Sequence, residues 1–184
     1  MKRAIWICLL TLAAPAGRRA RAEDAAIWID VPFAAQTRDA CGSASMTMVM
    51  RYWDGKEGRP ASPDSDPGRI QAALFYPPAG GIFASAMARY LRQAGYRAFA
   101  FPGQWDDLRR QLAQGRPLIV SLKASGRRGP LHYVVVVGVD SARGYVFVND
   151  PARQKMLRIS KEGFEAEWSG AGDWMLLAIP QAGD

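Results

Sequence analysis

From His132 to Asp150 the chain reads H-Y-V-V-V-V-G-V-D-S-A-R-G-Y-V-F-V-N-D, and no other stretch restricts its fold as much. β-Branched and aromatic residues flank a short Ser-Ala-Arg connection, so two strands pair as an antiparallel hairpin. Counting outward from a turn centred on Ser141 to Arg143, His132 at the start of one strand comes within a few positions of Asp150 at the end of the other. A carboxylate beside an imidazole accepts its ring N–H, fixes the tautomer and stabilises the imidazolium. Asp-Pro also ends strands in ordinary turns, so both readings of Asp150 stand on the hairpin alone. Asn149 is expected on the opposite face from Asp150, and Asp140 lies at the far end of the hairpin.

Upstream, C-G-S-A-S-M-T-M-V-M opens a helical pattern from Cys41 to about Trp53. Apolar residues fall on nearly every face of it, which predicts a central helix buried all round. Ile82 to Gln93 and Trp105 to Gln114 repeat the helical spacing and stop at Gly95 and Gly115, ordinary C-terminal signals. The period then changes: Pro117 to Leu122, Tyr133 to Val139, Tyr145 to Val148 and Trp174 to Ile179 are short strand-like runs. Helices first and strands second predict an α+β domain in which the helix carrying the cysteine packs on a mostly antiparallel sheet carrying the histidine and aspartate. Asp54 to Pro67 reads as an exposed loop and Tyr76 to Gly81 as a second break, neither of which divides the domain.

Residues 1–22 read as a signal peptide: Lys2 and Arg3, an apolar stretch from Ala4 to Ala14, then Ala20-Arg21-Ala22 as a small-x-small cleavage site. The expectation is one domain over 23–184, exported to the periplasm or secreted, with no stable membrane insertion once the signal is removed. Taking the five Lys/Arg of 1–22 from the formal +7 leaves +2, spread without a basic run. That charge pattern gives no footprint for nucleic acid. Cys8 departs with the signal, so Cys41 remains as the one thiol in an oxidising compartment, without a disulfide partner. It is either a small buried hydrophobe or a reactive thiolate.

At a helix N-terminus the unpaired N–H groups and the macrodipole favour a thiolate, and a nearby imidazolium favours it further. Gln36, five residues upstream in Q-T-R-D-A-C, is placed to donate its amide to an oxygen turning negative, beside the backbone N–H of Cys41. Gly42 reads either as room for a substrate backbone or as simple helix-start geometry. One histidine, no pair of free cysteines and no clustered carboxylates imply neither a metal nor another cofactor. Gly80-Gly81 reads as a turn and not as a phosphate cradle. Phe33, Trp53, Phe75 and Tyr76 read either as cleft walls or as core, the commoner use of aromatic side chains, and none is given a substrate role.

V-P-F-A-A-Q at Val31, C-G-S-A-S at Cys41, G-R-P-L-I-V-S-L at Gly115, H-Y-V-V-V-V-G at His132 and V-N-D-P at Val148 resemble papain-like cysteine peptidases of the bacteriocin-leader-processing (double-glycine) type, including their stand-alone exported relatives. L-R-Q-A-G-Y before the Gly115 run, and Phe164 with Trp168, follow the same layout; Ser43 stands where such enzymes often carry proline. The resemblance implies a papain-like fold and a hydrolase acting on a peptide or protein substrate. It implies Cys41 as nucleophile, His132 as general base and acid, Asp150 as orienting carboxylate and Gln36 as oxyanion donor. Two alternatives share these residues: a catalytically silent module that holds a peptide without cutting it, and a thiol acyltransferase or transpeptidase in which an amine replaces water.

Overall fold

The four valines from Val134 to Val137 are fully buried at the centre of a sheet, because that sheet is covered on both faces. Val135 and Val137 face one core with Met46, Met48, Met50 and Leu91, whereas Val134 and Val136 face another with Leu108, Leu112, Phe164 and Trp168. Successive side chains of a strand point to opposite faces, so a strand covered twice reads as continuous valine and not as an alternation. The computed structural model describes residues 25–123 and 131–181; the proposed signal, with Cys8, lies outside the described residues.

In chain order the elements are β1 (Ile27–Trp28), α1 (Cys41–Lys56), α2 (Pro67–Leu74), β2 (Phe75–Tyr76), β3 (Gly81–Ile82), α3 (Ala84–Gln93), β4 (Tyr96–Pro102), α4 (Trp105–Ala113), β5 (Leu118–Leu122), β6 (His132–Asp140), β7 (Tyr145–Asp150), β8 (Gln154–Ser160), α5 (Lys161–Ser169) and β9 (Trp174–Pro180). The sheet runs β4-β9-β5-β6-β7-β8, with β1 added to β6, and its pairings are antiparallel. Tyr76 to Gly81, expected as a break, is the tip of a small β2–β3 hairpin. At Gly138 a Cβ would meet the Ile27 carbonyl oxygen at 2.8 Å and the Trp28 side chain at 2.9 Å, so only glycine lets β1 lie this close to β6.

α1 is buried from Gly42 through Met50, as the pattern predicts. Tyr52 donates its hydroxyl to Gly115 O (2.7 Å) and Trp53 its indole N–H to Ala178 O (2.9 Å), which fix the C-terminal end of the helix to the edge of the sheet where β5 begins beside β9. The stretch after α1 is more organised than its composition suggests. Asp54 is 3% exposed, and its carboxylate accepts the Ser62 N–H at 2.9 Å and an Arg59 guanidinium N–H at 3.3 Å. Ser62 then caps a short 3₁₀ turn at Pro63–Ser65, Asp66 caps α2 through the Arg69 N–H, and the Tyr90 hydroxyl donates to Asp64 O. Asp54→Ala removes the buried acceptor shared by the Ser62 N–H and the Arg59 guanidinium and is expected to destabilise the fold by about 2 kcal/mol, measured by chemical unfolding against the parent protein.

Candidate active site

Cys41 is the first residue of α1, where the opening N–H groups of a helix have no partner inside it. The turn before it is tight: Asp39 has φ +57°, a conformation that aspartate tolerates better than most side chains, and the Ala40 N–H donates to Thr37 O. Gln71 of α2 braces this turn by donating to Asp39 O (3.3 Å), while its Oε1 accepts from the Ser43 hydroxyl (3.0 Å). Sequence spacing gives no signal for Gln71, because it comes from a helix hidden in a Pro- and Gly-rich stretch. Gly42 keeps α1 against its neighbours: a Cβ there would meet Ile82 at 3.3 Å and the Tyr133 ring at 3.5 Å, so the space belongs to the protein's own packing.

His132 opens β6, two residues along from the position beside Asp150, since Val135 pairs with Asn149. Both side chains lie on one face, and His132 Nε2 is 2.7 Å from Asp150 Oδ1. With the carboxylate ionised the ring donates through Nε2–H, leaving Nδ1 for Cys41. Asp150 is buried, and its Oδ1 also accepts the Ala152 N–H at 2.9 Å. Asn149 turns to the other face: its side chain donates to Val31 O and accepts from the Met156 N–H. Asp140 closes the far turn, accepting from Arg143.

The electrostatics of the histidine follow from this placement. Burial by itself lowers the pKa of His132, but hydrogen bonds to Asp150 and to Cys41, with their negative charge, outweigh it and push the pKa up to about 9. Burial raises the pKa of Asp150, and the His132 hydrogen bond and charge overcome this and hold it below the ordinary carboxylate value. Burial, together with the charge at Cys41, raises Tyr133 to about 12, so it stays a neutral phenol donating to Ile82 O.

A cleft of about 390 Å³ gathers these groups, with Gln36, Asp39, Cys41 and His132 among its walls and Gly80 to Phe83 along one side. Gln36 enters it from an irregular segment whose N–H donates to Pro151 O at 2.9 Å, next to Asp150. Its Oε1 is buried with no protein partner; turning the amide about its last bond presents a donor in the same place. The rim holds exposed apolar side chains, with Phe83 and Leu131 lining the cleft and Tyr76 stacked on Phe83 at 5.3 Å. Phe83 and Leu131 are rim residues that sequence reading missed, since periodicity assigns them to a helix start and a loop. Phe33 and Trp53 pack against the core, whereas Tyr76 is exposed beside Phe83.

The Peptidase_C39 like family model matches residues 28–174, a span that takes in Cys41, the hairpin and most of both cores. The chain belongs to that family. It is therefore a cysteine-type peptidase, and the resemblance read from its motifs holds. No curated protein matches it by sequence. Among solved structures it is similar to a C39-like peptidase from Bacillus anthracis (15% identity, TM-score 0.67, covering 87% of this chain and 100% of that one). It is also similar to a double-glycine-motif protease from an AMS/PCAT transporter in complex with a leader peptide (22%, 0.64, 84% and 94%). A third is the peptidase domain of Streptococcus ComA, a bi-functional ABC transporter involved in quorum sensing (21%, 0.61, 83% and 100%). At these identities the likeness establishes the fold, which is that of the C39 peptidases.

Proposed function

We propose that this C39-like peptidase is exported, through a signal peptide at 1–22, and that its domain over 23–184 hydrolyses peptide bonds with Cys41, His132, Asp150 and Gln36. The observation that carries the reading is His132 held by Asp150 on one ring nitrogen, 2.7 Å away, with Cys41 acting on the same ring in a cleft that also contains Gln36. The Cys41 thiolate attacks the carbonyl carbon, and the oxygen turning negative is met by the Gln36 amide and the Cys41 N–H. His132, carrying the proton, passes it to the departing amine as the C–N bond breaks; it then takes a proton from the water that attacks the thioester, and the acid product leaves. Asp150 orients the ring and stabilises its charged form throughout. The substrate is a peptide or an unfolded segment of a protein, which suits an open cleft with an apolar rim; the leader peptide held by the AMS/PCAT relative supports a peptide ligand for this fold. Among the described residues no helix is long and apolar enough to cross a membrane.

The reading is tested without a known substrate by alkylating the mature protein with iodoacetamide from about pH 4 to 9. Rapid labelling of Cys41 at acidic pH that is lost in His132→Ala is the expected result, because an unassisted thiol reacts only as it ionises near pH 8.5. Labelling that rises only above about pH 8, and does so equally in both proteins, would mean that no thiolate–imidazolium pair exists.

A further inference from the structure

The segment that delivers Gln36 has no regular structure from Ile29 to Ala40 and depends on a few bonds to the strands beneath it. Ile29 N–H donates to Val137 O, Val31 O accepts from the Asn149 amide at 3.1 Å, and Gln36 N–H donates to Pro151 O at 2.9 Å. The Lys155–Asp30 ion pair is exposed and adds little. Two of these attachments lie immediately on either side of Asp150. Asn149 itself is fully buried and sits opposite an irregularity: Val148 pairs with Leu157 and Asp150 with Gln154, so one residue of β7 faces two of β8. The extra residue brings Met156 to φ +54°, and its N–H, leaving the strand ladder, is accepted by Asn149 Oδ1 at 3.0 Å. One amide therefore satisfies the bulge with its oxygen and holds the segment with its nitrogen, and only one orientation of the group does both.

We infer that Asn149 is a positioning residue for the oxyanion donor: by holding Val31 to the strand that carries Asp150, it sets where Gln36 stands relative to His132 and Cys41. The inference rests on the reading of Gln36 given above. Bulges beside active sites re-aim side chains, and here the bulge gives Asn149 the fixed acceptor position from which its amide reaches across.

The test compares two probes of the same thiol. p-Nitrophenyl acetate transfers its acetyl group to Cys41 through an oxyanion with loss of p-nitrophenolate, whereas iodoacetamide loses iodide in a displacement that forms no oxyanion. Gln36→Ala is expected to slow ester turnover by about a hundredfold, the scale for losing one oxyanion donor. Asn149→Ser, which withdraws the reach to Val31 without burying a charge, is expected to slow it by roughly tenfold in the parent protein and hardly at all in the Gln36→Ala background. Labelling by iodoacetamide at pH 6 stays unchanged in every variant. An Asn149→Ser protein with full ester turnover, an equal loss in both backgrounds, or a matching loss of labelling overturns the inference. If Gln36→Ala leaves ester turnover untouched, the oxyanion reading of Gln36 fails, and this inference fails with it. If the serine variant lacks a cooperative unfolding transition, Asn149→Val, which suits a buried strand, is put through the same comparison.

Discussion

Cys41→Ser is expected to lower turnover of any peptide the parent protein cleaves by about 10⁶-fold, the scale for removing the nucleophile from a nucleophile–base pair. The thiolate is the attacking species, and a serine hydroxyl in its place has to be deprotonated by His132 in the act of attack. His132 is tuned for a different task, since its pKa of about 9 makes it a proton donor over most of the pH range. The fold should not notice the change. Cys41 is only partly buried at the first position of α1, and oxygen for sulfur is a small volume decrease there, so stability should stay within about 0.5 kcal/mol of the parent. Turnover by purified protein before and after substitution, with an unfolding curve for each, decides the matter. A variant that keeps its rate would show that the thiol is not the nucleophile.

The juxtaposition of His132 and Asp150 was legible because a short turn fixes a hairpin's register over the few residues that matter. Cys41 at the head of a buried helix was legible for a similar reason, as its run of apolar residues admits no other placement. What the sequence concealed is non-local. Gln36 meets Pro151, and Asn149 meets Val31, across more than a hundred positions that no periodicity connects. α2 was hidden because Pro67 and Gly68 look like loop residues, although proline is well tolerated in a helix's first turn and Asp66 caps it. β8 was hidden because its bulge at Met156 interrupts the alternation that marks a strand, and because Lys155 and Arg158 face solvent on an edge. In both cases no local pattern marks the element, which is structured by contacts from elsewhere in the chain.

Asp150→Ala is expected to reduce turnover by about 10⁴-fold without abolishing it, since the carboxylate orients and stabilises the imidazolium but attacks nothing. The pH dependence separates this role from a merely structural one. Burial pulls the His132 pKa down and the bonds to Asp150 and Cys41 lift it to about 9, so the ring keeps its proton until the pH passes through 9. Activity that needs imidazolium as the acid for the leaving amine therefore falls on the alkaline side near 9 in the parent. Without Asp150 the largest upward influence is gone, and that limb moves down toward the ordinary value of about 6.5. Stability follows the same linkage. A raised histidine pKa contributes stability that is complete below about pH 6.5 and lost as the pH rises through 9, while the lowered Asp150 contributes above about pH 4 and is lost as the carboxylate protonates. The pair should thus stabilise the parent most between about pH 4 and 6.5, and the difference from Asp150→Ala should shrink toward pH 9. His132 is the one histidine in the chain, so its ring resonance in an NMR titration is assigned without further work. A midpoint that stays near 9 in the alanine variant would sink the orienting role. Asp150→Asn should recover part of the rate, because its carbonyl still accepts the Nε2–H, but should leave the midpoint low, because the charge is gone.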